Sequence, residues 1–204
     1  MATRPYRSPR RTASAAQTRE RIIAAAASEL NGKSEAFSLE ATAKTAGVTR
    51  LTVYHQFGSR RGLLEAVFDD RAERAGMFRL AEAMADSDSR NGLRKLIAIF
   101  CDFWSFDIEA IRRLYAECAS DPELADAVEA RNERRRRALS VLVSRIVNAR
   151  AKQPAKLDEL VDVLTALTSF AFFTELVARG RPTDTACSII QSMAADAITR
   201  FIPS

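Results

Sequence analysis

Apolar residues recur three and four apart along this chain, and the segments they mark predict an all-α protein of about nine helices. Ser14-x-x-Gln17 fits a capping box opening a first helix, in which Ile22, Ile23, Ala26, Ala27 and Leu30 share a face before Asn31-Gly32 stops it. Ser38 is a good N-cap for a short second helix with Leu39, Thr42 and Ala43 on one face, and Gly47 closes it. Thr49 can cap a third helix, over residues 49–57, whose Val53 and Phe57 point inward with Val48. Leu64, Val67, Phe68, Arg71, Ala75 and Phe78 mark a fourth over residues 60–84, long enough to act as a lever between two domains.

Polar residues 86–89 interrupt the pattern, and everything after them reads helical. Leu93, Leu96, Ile97, Phe100, Phe103 and Trp104 form one stripe, and Ile108, Ile111, Tyr115 and Cys118 form the next, behind Asp107 as a cap. Asp121-Pro122 opens a helix reaching residue 150, on which the run Arg134 to Arg137 wraps right round and reads as a solvated face with acidic neighbours. Residues 157–178 read as one helix that is apolar nearly all round its middle, followed by a last helix bearing Ile189, Ile190, Met193, Ala197, Ile198 and Phe201. A helix without a polar face must be covered on both sides. A second copy of the chain is the expected cover, in an isologous four-helix contact through Leu160, Leu164, Leu167, Phe173, Ile190, Met193 and Ala197.

The third helix also sorts its outward residues. Arg50 with Tyr54, and Leu51 with His55, are four apart and point away from the core side. Two short helices joined by the tight turn at residues 46–49 cross steeply, as in helix-turn-helix proteins that read duplex DNA. In the major groove a guanidinium reaches guanine and an apolar group meets a thymine methyl, so Arg50, Leu51 and His55 are the candidate base readers. Ser38, Thr49, Thr52 and Tyr54 suit phosphate oxygens. Ser59 can cap the next helix beside Arg60 and Arg61, and such a helix start favours an anion, here a DNA phosphate.

Charge agrees with that placement. Residues 1–61 hold eleven Arg/Lys against four Asp/Glu, a balance of +7, whereas the remainder holds 20 against 22. The positive field therefore belongs to the helix-turn-helix segment, the footprint expected of a polyanion-binding head on a near-neutral body. A basic segment over residues 1–13, with Arg4, Arg7, Arg10 and Arg11, reads as a disordered arm able to enter the minor groove. The domains are then a basic arm (1–13), a DNA-binding domain (14–64) and an effector-binding and dimerisation domain (65–204).

In residues 18–68 the chain resembles the DNA-binding region of the TetR family of one-component transcriptional regulators. The matching positions are Ala46-Gly47-Val48-Thr49, Val53-Tyr54, Phe57, Ser59 and Leu63-Leu64, in the family's order and spacing. It departs from the family at Thr42, where Ile is usual, at Leu51, often Gly, and at Arg60, usually Lys. The resemblance implies a homodimer on a palindromic operator, released by a small-molecule effector bound in the helical body. Phe68, Phe78, Phe100, Phe103, Trp104, Tyr115, Thr168 and Phe170 are candidates for an apolar effector pocket, most of them on aromatic stripes that should converge.

Catalysis finds no support. The single histidine is His55 in the motif helix, and no H-x-x-x-H, G-x-S-x-G or glycine-rich phosphate loop occurs. Cys101, Cys118 and Cys187 stand at no metal-ligand spacing and suit a reducing cytoplasm, so neither metal nor cofactor is expected. No apolar run approaches the length of a membrane span, and the basic N-terminus lacks the apolar region of a secretory signal. The rival reading is a helical ligand-binding or protein-interaction module without specific DNA readout.

Overall fold

The computed structural model describes residues 9–32, 37–147 and 154–201. In chain order its helices are α1 (Pro9–Leu30), α2 (Leu39–Ala46), α3 (Arg50–Phe57), α4 (Arg60–Arg74), α5 (Leu80–Ala85), α6 (Ser89–Phe106), α7 (Ile108–Glu117), α8 (Pro122–Val147), α9 (Pro154–Leu167), α10 (Phe170–Val177) and α11 (Thr183–Phe201). One 3₁₀ turn (Met77–Arg79) precedes α5, and no strand occurs among the described residues. The all-α expectation holds, with eleven α-helices among the described residues in place of about nine.

The chain folds into two compact units, and the division is not a single cut. One unit takes in Met1–Asp70 together with Glu109–Ala125; the other takes in Arg71–Ile108 and Asp126–Ser204. The first therefore holds α1 to α3, most of α4, α7 and the start of α8. Its core gathers Ile22, Ile23, Ala26 and Leu30 of α1, Phe37, Val53 of α3, and Leu63, Leu64 and Val67 of α4. Ala110 and Leu124 complete that cluster, with Cys118 packed against it. Fifty residues of short helices bury too little apolar surface alone, and α7 supplies part of the missing floor.

Several helix boundaries differ from the sequence pattern, each for a local reason. α1 starts at Pro9, five residues before Ser14, because proline suits a first helical turn. Ser14 lies inside it, its carbonyl accepting the Thr18 hydroxyl at 2.9 Å. Residues 9–13 of the expected arm are thus helical, and residues 1–8 lie outside the described part. The expected 60–84 helix is broken after Arg74, where Gly76 takes a left-handed conformation (φ 84°) that other residues avoid. Arg79 closes the break: its Nε donates to the Gly76 carbonyl at 3.1 Å and its guanidinium pairs with Asp102 at 2.6 Å. Asp107, expected as a cap, instead pairs with Arg71 at 2.9 Å.

The 157–178 helix is also two pieces, bent by 48° between α9 and α10. Thr168 and Ser169 cause the break. Their hydroxyls donate back to the carbonyls of Leu164 (2.9 Å) and Ala166 (2.7 Å), competing with the helical ladder. Ser169 then caps α10 by accepting the Phe172 N–H at 3.1 Å. The freed Thr168 carbonyl accepts the buried Trp104 indole N–H at 3.0 Å. Asp121 opens α8 where the sequence put it, accepting the Leu124 N–H at 3.0 Å, and Asp88, inside the polar interruption, opens α6 by accepting the Arg90 N–H at 2.9 Å.

The second unit packs α6 against α5, α10 and α11, and α9 against α11, around Leu96, Phe103, Leu139, Leu142, Leu160, Leu164, Phe173 and Ile190. No single described helix is long and apolar enough to cross a membrane, and α9 and α10 pass that test only as a bent pair. Leu160, Leu164, Phe170 and Phe173 of that pair are buried within the chain itself.

Candidate nucleic-acid interface

The turn between α2 and α3 is set by one glycine. Gly47 sits at φ 65°, and the Val48 N–H reaches the Ala43 carbonyl at 3.0 Å, closing α2 and reversing the chain within three residues. The Ser38 hydroxyl caps the other end of α2, accepting the Ala41 N–H at 3.3 Å. Thr42 is fully buried, and its hydroxyl donates to the Ser38 carbonyl at 2.9 Å, so a polar side chain is satisfied where an apolar one is usual. Thr49 begins α3: its hydroxyl accepts the Thr52 N–H at 3.2 Å and lies 2.9 Å from the Thr52 hydroxyl.

α3 is held by one face and presents the other. Val53 is 1% exposed, and half-buried Phe57 lies under the Arg19 guanidinium, 4.5 Å from its ring centre. On the opposite side Arg50, Leu51, Tyr54 and His55 are all exposed, Leu51 at 64% and Tyr54 at 47%. No ion pair among the described residues engages Arg50. A cation, an isobutyl group, a phenol and an imidazole thus stand together on one convex helix, with the complementary chemistry of base edges and backbone.

The start of α4 looks different from the expectation. Ser59 caps it, accepting the Gly62 N–H at 2.9 Å. Arg60 turns toward Glu117, with which it forms a short ion pair, and toward Asp121 at 3.6 Å, its guanidinium also lying over the Phe37 ring. Arg61 pairs with Glu123 at 2.5 Å and with Glu65 at 3.4 Å. These two cations are neutralised by carboxylates of α4, α7 and α8. Gly62 brings α4 close to the end of α3: a Cβ there would stand 2.1 Å from the Phe57 carbonyl oxygen.

Glu117 is a residue the sequence pattern passed over. It is 8% exposed, accepts the Phe37 N–H at 3.2 Å and faces Arg60 and Arg113. Its position beside Leu114 and Cys118 on the inner side of α7 was the available signal. Arg135 is another. It is 6% exposed, turned away from the other arginines of its run, with its guanidinium over Phe100 (5.5 Å) and Trp104 (5.9 Å). Seven residues after Val128 and four before Leu139, it falls on the apolar stripe of α8. Of its neighbours, Arg136 pairs with Asp162 at 2.5 Å, and Arg134 and Arg137 are exposed.

The expected effector residues separate. Phe100, Phe103, Trp104 and Phe170 form a contiguous aromatic group, with Trp104 centred 4.6 Å from Phe103, 5.4 Å from Phe170 and 6.0 Å from Phe100. Thr168 joins them through its carbonyl. Phe68 and Tyr115 belong to the first unit, and Phe78 is 75% exposed beside the Gly76 break, so it lines no interior. Of the expected dimer residues, Leu160, Leu164, Leu167, Phe173 and Ile190 are consumed by the chain's own core. Met193 is exposed and Ala197 half-buried, and Val163 adds a further exposed apolar side chain.

A basic segment carrying a helix-turn-helix with an exposed second helix is an arrangement whose charge and shape suit duplex DNA. Residues 22–67 match the family described as bacterial regulatory proteins, tetR family. The HTH-type transcriptional regulator AlkX of Mycobacterium tuberculosis is 32% identical over 87 residues, which is 43% of this chain and 35% of that protein's length. Among solved structures, a TetR-family transcriptional regulator from Rhodococcus sp. aligns with a TM-score of 0.69 at 18% identity, covering 90% of this chain and 99% of that one. A transcriptional regulator from Saccharomonospora viridis in complex with choline aligns with a TM-score of 0.65 at 18% identity, covering 88% and 96%. The match to that family model is thus confined to residues 22–67, the chain spans about a third of the curated relative's length, and it shares its fold with these solved regulators.

Proposed function

We propose that the protein is a homodimeric repressor that binds a palindromic operator through α3 and is released by a small apolar effector. The observation that carries this reading is the outward face of α3. Arg50, Leu51 and His55 are exposed and would meet base edges, with Thr49, Thr52 and Tyr54 beside them to take phosphate oxygens. Two such helices on a two-fold axis would read half-sites about 34–36 Å, or a multiple of that, apart. The apolar side chains that α9 and α11 leave uncovered, Val163 and Met193, support pairing through those helices.

Trp104 and its aromatic neighbours are the best candidates to hold the effector. Arg135 already lies over two of those rings, so a cationic guest such as the choline of the Saccharomonospora neighbour would be repelled there. A neutral or anionic apolar molecule fits better. α4 and α8 each run without a break from one compact unit into the other, which offers a covalent route from effector to reading head.

Fluorescence anisotropy on a selected duplex tests the reading. The expected result is a steep loss of affinity with salt, at least a thousandfold preference over random DNA of the kind specific binders show, and release by members of an apolar panel. Equal affinity for selected and random duplexes would leave the rival reading, a helical interaction module, in possession.

A further inference from the structure

The second unit holds two thiols on facing helices that the reading of DNA does not use. Along α6, Leu93, Ile97 and Cys101 follow one another at four-residue steps, and along α11, Ile198, Ala194 and Cys187 descend on one flank. The two helices run past each other in opposite senses. Leu93 and Ile97 line one groove with Ala194 and Ile198, and the Gln191 amide donates to the Arg94 carbonyl at 3.1 Å. Continued for one to two turns, that antiparallel register sets Cys101 against Cys187, and each thiol perturbs the other. The neighbouring groove, of about 330 Å³, opens beside Gln191 and Ala194, one to two turns from Cys187. Cys187 lies on the other flank of α11 from Ile189 and Met193, so pairing through Met193 does not cover it.

We propose that Cys101 and Cys187 are a peroxide-reactive dithiol that closes to an intrachain disulfide between α6 and α11. The two sulfurs are not equivalent. Cys101 is 2% exposed, whereas Cys187 is half-buried and within reach of a small oxidant. The interaction between them holds the Cys187 thiol below its ordinary range and, with burial, pushes Cys101 well above it. Asp102 opposes thiolate formation at both, but its carboxylate is occupied by Arg79 at 2.6 Å. Cys187 is therefore the attacking sulfur and Cys101 the resolving one.

The chemistry closes on a hydroperoxide as the oxidant. The Cys187 thiolate attacks the outer peroxide oxygen; an S–O bond forms, the O–O bond breaks, and the departing alkoxide takes a proton and leaves as alcohol, or as water from hydrogen peroxide. The Cys101 sulfur then attacks the sulfenic sulfur; the S–S bond forms, the S–O bond breaks, and hydroxide leaves with the Cys101 proton as water. Two thiols and one hydroperoxide become one disulfide, one alcohol and one water. Cys118 serves as an internal control. It sits in the first unit with its thiol donating to the Leu114 carbonyl at 3.4 Å, and burial raises it.

The test treats the reduced full-length protein with hydrogen peroxide or cumene hydroperoxide and maps thiols by non-reducing peptide mass spectrometry. The expected product has lost two hydrogens, carries a Cys101–Cys187 cross-link within one chain and keeps Cys118 free. Cys187→Ser should slow peroxide consumption about tenfold or more, and Cys101→Ser should leave Cys187 as a sulfenic acid captured by dimedone. Cys101→Ala provides the same trapping if serine disturbs the buried position. A cross-link through Cys118, a link between subunits, dimedone on Cys101 in the native chain, or three thiols still reduced when free cysteine has been oxidised would each overturn the proposal.

Discussion

The Glu117 carboxylate accepts the backbone N–H of Phe37 at 3.2 Å and pairs with Arg60, tying α7 to both the entry of α2 and the start of α4. The reading head is thus completed by a helix from the middle of the chain. Glu117→Ala should destabilise the first unit by about 1.5–3 kcal/mol, since a buried charged acceptor is lost and its donors are left behind. Urea unfolding followed by far-UV circular dichroism measures this. An unchanged midpoint would mean that α7 is not part of the head.

Arg60→Ala separates a structural arginine from a phosphate contact. Because Glu117 and Asp121 already face that guanidinium, the substitution should lower the unfolding midpoint and leave the salt slope of operator binding nearly unchanged. A slope flattened by about one unit would instead show a direct phosphate contact.

Arg50→Ala should cost about 1–3 kcal/mol on operator and far less on random DNA, because a side chain reading base edges carries sequence preference. Binding curves for both duplexes at one salt concentration check it. Equal losses would place Arg50 on the backbone.

Gly62→Ala probes the approach of α4 to α3. An added methyl would meet the Phe57 carbonyl oxygen at 2.1 Å, and backbone cannot yield as a flexible side chain does. The expected loss is at least the roughly 1–3 kcal/mol typical of overpacking, read from thermal unfolding. A neutral effect would show that the two helices can part freely.

Trp104→Phe keeps the aromatic contacts with Phe103 and Phe170 and removes the donor to the Thr168 carbonyl. Leaving that buried carbonyl without its indole partner should cost about 1–3 kcal/mol in the stability of the second unit, measured by denaturant unfolding.

The head was legible in the sequence because its determinants are local. Gly47, Thr49 and the alternation of Val53 with Arg50, Leu51, Tyr54 and His55 act within a few residues, and they fix the turn, the cap and the two faces. Glu117 and Arg60 were not legible in the same way, since their roles depend on contacts between positions far apart in the chain. The long apolar run at 157–178 shows a different limit. Its hydrophobicity fitted an uninterrupted helix, and only the side-chain chemistry of Thr168 and Ser169, with Trp104 waiting for the freed carbonyl, explains the bend. Leu160 and Ile190 misled because a stripe fit for a partner chain is equally fit for the chain's own interior.

Selection of preferred duplexes from a random pool with the full-length protein tests the central claim most directly. The expected outcome is an enriched, partly palindromic sequence whose half-sites lie about one helical turn, or a multiple, apart, and whose enrichment disappears with Arg50→Ala. A pool that stays random at a salt concentration where the protein still binds would contradict the assignment of α3 as a sequence-reading helix.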